Sequence, residues 1–280
     1  MTTPDIPNMP TEQELQRPAT LRQKLEMAAR FSAVVAATVP PTSLPPMVLT
    51  AITYKRFRDE KRFHRWHHML EWAHWCSRHI MKADVRVEGL HRMPQDTRRL
   101  MWVSNHQSYV DIPVIMGALR IGAFLSKDLV AYIPVLGWIA WLGGTIYFNR
   151  RSPESRRKAL SDVLRMCEES TPVVVFPEGT RSKDGELRTT VRMGALRSCW
   201  ERDIRIATFA IDGTRYVFPP SMDRMYTGQR VAIVVGETLE PADFLDADAY
   251  ASAAWDSVRQ CFERARQMRL DPDWEHYPAT

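Results

Sequence analysis

Leu100-Met101-Trp102-Val103-Ser104-Asn105-His106-Gln107-Ser108-Tyr109-Val110-Asp111 joins four apolar residues to a mostly polar stretch. A short, unbroken apolar run bounded by loop residues reads as a buried strand that ends where the polar residues begin. Strands buried on both faces belong to sheets covered by helices, so this stretch decides the fold. Its polar half carries a histidine and an aspartate five positions apart. On a regular helix, 3.6 residues per turn would rotate these side chains well apart. A strand-end turn is needed to bring the carboxylate under the imidazole. With that turn, Asp111 fixes the ring tautomer and stabilises its protonated form, which makes His106 a general base with its orienter.

Beyond Lys82 short apolar runs alternate with helical ones. Residues 85–88, 100–104, 122–125, 145–148, 173–176, 205–210 and 232–235 read as strands. The clearest helix runs from Pro153 to about Ser170, with Ser152 as N-cap, Pro153 at the first helical position and Glu154 in the first turn. Leu160, Val163, Leu164 and Cys167 then share one face. Strands alternating with helices imply a single α/β domain: a mostly parallel or mixed sheet of about seven strands flanked by helices. The domain is expected over 83–245, with a C-terminal helix, Ala247 to about Leu270, docked on it within 246–280.

The N-terminal part differs. Residues 1–20 hold Pro4, Pro7, Pro10 and Pro18 among polar residues and are expected to lack fixed structure. Phe31 to Tyr54 has no charged residue, long enough to span a bilayer, yet Pro40-Pro41 and Pro45-Pro46 cut it into pieces shorter than the roughly 20 residues a spanning helix needs. Arg22, Lys24 and Arg30 precede it and Lys55, Arg56, Arg58, Lys61 and Arg62 follow. Positive charge on both flanks gives no orientation bias. Residues 21–82 are therefore expected to form a membrane-associated helical region, re-entrant or interfacial. Basic residues beside apolar ones favour lipid over nucleic acid as the anionic partner. Val130–Phe148 is a second charge-free run, but Pro134, Gly137, Gly143 and Gly144 divide it into a loop, a short helix and a strand. His64, His67, His68, His74 and His79 cluster on one helix, but no second cluster accompanies them, so no metal site is read. Cys76, Cys167, Cys199 and Cys261 show neither paired nor metal-ligand spacing and fit a reducing compartment.

Two further stretches give the opening motif its context. Gly144-Thr145-Ile146-Tyr147-Phe148-Asn149-Arg150 sets an arginine at one strand end. Phe176-Pro177-Glu178-Gly179-Thr180-Arg181-Ser182 follows Val173-Val174-Val175 and sets a carboxylate, a glycine turn and an arginine at another. Ligands of open α/β sheets bind beyond strand ends. His106, Arg150, Glu178 and Arg181 are thus expected to converge on one pocket, where the arginine forks suit a phosphate and Gly179 permits close backbone approach. Asn105, Ser108 and Lys127 are secondary candidates.

These blocks, with Thr208-Phe209-Ala210-Ile211-Asp212-Gly213, resemble the glycerolipid acyltransferase family, in particular its 1-acylglycerol-3-phosphate acyltransferase branch, over about residues 83–240. Lys127-Asp128-Leu129, Ile133–Trp138 and Lys183-Asp184-Gly185-Glu186 are also similar to it. The family usually has proline where Thr208 stands, a position thought to shape the acyl or acceptor site. The resemblance implies acyl transfer from acyl-CoA or acyl-carrier protein to the free hydroxyl of lysophosphatidic acid at a membrane, with no other cofactor. It implies His106 as base, Asp111 as orienter, Arg150 and Arg181 on the acceptor phosphate, Glu178 with Gly179 positioning the glycerol, and Thr180 among the substrate-binding residues. Lyso-ornithine lipid or another lysophospholipid is the alternative acceptor, and a non-catalytic membrane-bound binding protein the alternative class. Attachment from the cytoplasmic side is expected, since thioester donors are found there. No Gly-x-Ser-x-Gly elbow occurs, which favours direct transfer over an acyl-enzyme.

Overall fold

The computed structural model describes residues 6, 9–37, 67–132, 145–149, 151–169 and 171–279. Its strands are β1 (Asp84–Glu88), β2 (Leu100–Val103), β3 (Leu125–Lys127), β4 (Ile146–Phe148), β5 (Val173–Val175), β6 (Arg205–Asp212) and β7 (Arg230–Leu239). Its helices are α1 (Glu12–Gln16), α2 (Leu21–Ala37), α3 (His67–Trp75), α4 (Asp111–Leu119), α5 (Pro153–Glu168), α6 (Gly194–Glu201), α7 (Thr214–Val217) and α8 (Ala247–Leu270).

The seven anticipated strands form, but in two sheets rather than one. Five follow the order β1-β7-β6-β2-β5, while β3 and β4 pair apart. One parallel bridge, Phe124 to Val174, links the two sheets before Leu125–Lys127 turns away to pair with β4. The sheet is mixed: β6 and β7 are antiparallel and the other pairings are parallel. Because side chains alternate along a strand, the apolar run of β2 feeds both faces. Leu100 and Trp102 pack with α3 and α4, whereas Met101 and Val103 pack with α5, α6 and α8.

The caps explain where the helices start. Ser152 accepts the Ser155 N–H at 3.1 Å ahead of α5, and Asp246 accepts the Ala249 N–H at 2.7 Å ahead of α8. Helix α8 lies on β6 and β7, and its Tyr250 hydroxyl donates to the Ile204 and Leu239 carbonyls at 3.0 and 3.1 Å. Helix α3 widens into a π turn, Cys76–Ile80, before β1.

The expectation that 1–20 lacks fixed structure is corrected for residues 9–20. Thr11 and Glu14 form a reciprocal capping box at the start of α1. Buried arginines distant in sequence hold this segment: Arg215 grips Glu12 through two nitrogens at 2.7 and 3.1 Å, and Arg224 donates to the Glu14 and Arg17 carbonyls. Polarity signalled disorder here because the charge partners lie some 200 residues away in sequence. Among the described residues no helix is long and apolar enough to cross a membrane. Residues 38–54 of the charge-free run and 133–144 of the second lie outside the described residues.

Candidate active site

Strand β2 ends at Val103, and the next residues alternate in direction. Asn105 is buried and takes the place of a strand residue: its amide donates to the Ile211 carbonyl at 2.8 Å and accepts the Ile211 N–H at 2.9 Å. Gln107 is buried too and donates to the Gly185 carbonyl and to Asp212, each at 2.9 Å. His106, between them, points the other way and stacks on Phe176, with centroids 4.4 Å apart and planes at 11°. These amides continue the sheet's hydrogen bonding past the strand end and so fix the backbone that carries the imidazole.

The turn required by the five-residue spacing is present. Asp111 is fully buried at the first position of α4, and its Oδ2 lies 2.7 Å from His106 Nδ1. The same oxygen accepts the Gln107 and Ser108 N–H groups at 2.7 and 2.9 Å, and the Thr214 hydroxyl donates to Oδ1. An oxygen that takes two backbone N–H groups stands as an acceptor toward the ring as well. Nδ1 then carries the ring hydrogen and Nε2 is the basic nitrogen.

Glu178 and Arg181 meet this pair through the loop after β5. The Glu178 carboxylate accepts the His106 N–H at 3.2 Å, and Ser182 N–H donates to the His106 carbonyl at 2.7 Å. Gly179 makes the turn with φ +65°, and its N–H donates to the Phe176 carbonyl at 2.9 Å. Burial pushes the Glu178 carboxyl up to about 7, against the backbone N–H groups of His106 and Arg188, which favour its charge. Its Oε1 is buried without a hydrogen-bond partner, as is Arg181 Nη1. The Arg181 guanidinium lies 3.7 Å over the exposed Tyr109 ring. Orphaned buried polar atoms are uncommon, and here an acceptor and a donor stand in one loop.

The other sequence candidates are placed differently. Thr180 is half-buried in the same loop. Asn105 and Ser108 are committed to the backbone, the Ser108 hydroxyl donating to the Phe218 carbonyl at 2.7 Å, so neither is free for a ligand. Lys127 ends β3, and Arg150 lies outside the described residues. Thr208 is fully buried and faces away from His106, sharing a 2.6 Å hydrogen bond with Ser257 of α8. At this position the departure from the family pattern is absorbed by helix packing. Gln107, Phe176, Asp212 and Thr214 belong to the site's surroundings and were not singled out from the sequence; the Gly213-Thr214 pair after an apolar strand was the available signal. The four cysteines are buried; burial raises the Cys76 and Cys167 thiols to about 12 and Cys261 to about 11, and Cys199 shifts the same way.

Fold and site together describe an α/β protein with a hydrogen-bonded histidine–aspartate pair and an arginine-bearing glycine turn at the strand ends of a largely parallel sheet. The acyltransferase family model matches residues 84–212. A lyso-ornithine lipid O-acyltransferase of Pseudomonas aeruginosa is 31% identical over 193 residues, covering 63% of this chain and 71% of the relative. A chloroplastic 1-acyl-sn-glycerol-3-phosphate acyltransferase of Arabidopsis thaliana is 27% identical over 212 residues, 75% of this chain and 57% of that one. The crystal structure of the 1-acyl-sn-glycerophosphate acyltransferase PlsC of Thermotoga maritima shares the fold, with a TM-score of 0.70 at 22% identity over 88% of this chain and 97% of that one. The chain belongs to the acyltransferase family. It spans 57%, 62% and 61% of the length of three plant and algal relatives that it matches.

Proposed function

We propose that the protein transfers a fatty acyl group from a thioester, acyl-CoA or acyl-carrier protein, to the free hydroxyl of lysophosphatidic acid, giving phosphatidic acid. The observation that carries this reading is the His106–Asp111 pair beside a loop holding an unpartnered Arg181 donor. Nε2 of His106 takes the hydroxyl proton as the acceptor oxygen attacks the thioester carbonyl. The new C–O bond forms, the C–S bond breaks, and the imidazolium returns its proton to the departing thiolate. An alcohol is a weak nucleophile at neutral pH, so a positioned base and two held substrates account for the acceleration. Arg181, with Arg150, binds the acceptor phosphate, and Glu178, Gly179 and Thr180 face the glycerol. Direct transfer is favoured, because the Ser108 hydroxyl is engaged and the cysteine thiols are buried and hard to ionise.

The same chemistry on a lyso-ornithine lipid is the second reading. It is favoured by the Pseudomonas aeruginosa relative, of which the chain covers 71%. An acceptor without phosphate gives the arginines a weaker rationale, which ranks it second. The proposed setting is the cytoplasmic surface of a membrane, reached through residues 21–82. Incubating the purified protein with labelled acyl-CoA or acyl-carrier protein and each of lysophosphatidic acid, lyso-ornithine lipid, lysophospholipids and glycerol-3-phosphate separates these readings. Lysophosphatidic acid is expected to be acylated fastest, and His106→Ala to lower turnover by about 10²–10⁴-fold while staying folded. Trapping an acyl group on the protein would refute direct transfer, and no transfer to any acceptor would favour a binding protein.

A further inference from the structure

Resting on that acyl-transfer reading, we infer that the single turn α7 positions both halves of the site, Thr214 acting on the base through Asp111 and Arg215 acting on the acceptor loop together with Glu12. Both residues lie just beyond the family-matched region 84–212, and Glu12 lies far before it.

Gly213 sets the turn. Its φ of +110° suits glycine, and a Cβ there would stand 2.2 Å from the Arg230 carbonyl oxygen. Thr214, fully buried, then directs its hydroxyl at Asp111 Oδ1. That oxygen is the one His106, Gln107 and Ser108 leave unused, since all three bond Oδ2. With both oxygens anchored the carboxylate cannot swing out of the imidazole plane. Removing the hydroxyl leaves a buried carboxylate oxygen one donor short.

Arg215 points the opposite way. It is buried, and besides Glu12 it donates to the Asp184 carbonyl at 2.5 Å and the Lys183 carbonyl at 3.4 Å. These carbonyls follow Ser182, whose N–H holds the His106 carbonyl, and precede Gly185, whose carbonyl takes the Gln107 amide. Gly185 packs on the guanidinium stem so closely that a Cβ there would stand 2.5 Å from Arg215 Cδ. Residues 182–185 are thus fixed at three points, and Arg181 is carried at their N-terminal end. Glu12 closes the clamp from α1. Thr214 and Arg215 are positioning residues: neither is placed on a substrate.

Steady-state kinetics of the full chain in mixed micelles, with lysophosphatidic acid and an acyl-CoA, separate the two arms. Thr214→Val should lower kcat by about tenfold or more with the acceptor KM within about twofold, and Thr214→Ser should restore most of it. Arg215→Met should raise the acceptor KM by about tenfold with kcat nearly kept, and Glu12→Gln, whose side chain is half exposed and leaves the core intact, should raise it in the same direction by less. Melting temperatures identify a variant that fails to fold, in which case Thr214→Ser and Glu12→Gln decide. A Thr214→Val enzyme with unchanged kcat, or Arg215→Met and Glu12→Gln enzymes with unchanged acceptor KM, overturns the inference. A wild-type protein that acylates no acceptor refutes the acyl-transfer reading instead. The positioning is then read without turnover, from the ¹⁵N-histidine signal of His106 in Thr214→Val and amide exchange at Ser182 and Gly185 in Glu12→Gln. A shifted His106 signal and faster exchange support it, and wild-type values for both overturn it.

Discussion

Glu178 is buried beside a fully buried Asp111, and its raised carboxyl makes the protein's stability depend on pH in an uncommon direction. Between the ordinary carboxyl value of 4.5 and about 7 the folded chain keeps a proton that the unfolded chain releases. Stability therefore falls as pH rises through this window and levels off above it, by about 3 kcal/mol in total. Denaturant titrations at pH 5 and 8 should show this loss, and Glu178→Gln should flatten it. Asp111→Asn keeps the shape but replaces an acceptor with an amide that cannot satisfy the same donors, so kcat should drop by about 10²–10⁴-fold, measured by acyl transfer. His106, Asp111, Glu178, Gly179 and Arg181 were legible in the sequence because short strand-end motifs hold them together. Gln107, Phe176 and Thr214 were not, since what they touch is set by tertiary contacts, across a hundred residues for Thr214 and Asp111. Ser108, a secondary candidate, has its hydroxyl on the Phe218 carbonyl, a contact set in the same way by residues distant in sequence.

Among the elements, α5 could be bounded from its cap, Ser152 with Pro153, whereas α8 was legible only as a helical stretch from Ala247 to about Leu270, its Asp246 cap emerging in the structure. Ser152→Ala should cost about 1 kcal/mol, seen as a lower melting temperature. Strand β3 was anticipated at 122–125 and forms at Leu125–Lys127, because three residues offer too little alternation to fix a register. Its departure from the main sheet was not legible either, as pairing partners leave no local trace. Thr208, where the family usually has proline, serves the sheet-to-α8 contact through Ser257, a pairing equally absent from the local sequence. Thr208→Val should destabilise by about 1 kcal/mol and leave acceptor preference unchanged in the transfer assay.

Taken as a whole, the molecule carries an α/β domain preceded by a helix that it scarcely covers. On α2, Leu21 is 74% and Leu25 63% exposed, with Arg22 and Lys24 beside them. Such a helix suits the interfacial role proposed for residues 21–82. Leu25→Glu with Phe31→Glu should reduce sedimentation with anionic vesicles, and raised salt should release the wild type in part. The clamp on α1 bears on when this helix meets its surroundings. Glu12 and Glu14 wait for Arg215 and Arg224, which follow 203 and 210 residues later. At roughly 5–20 residues per second that is about 10–40 s of synthesis. During that interval α2 emerges from the ribosome untethered, so a bilayer can take it up before the arginines that fasten its leading end have been made.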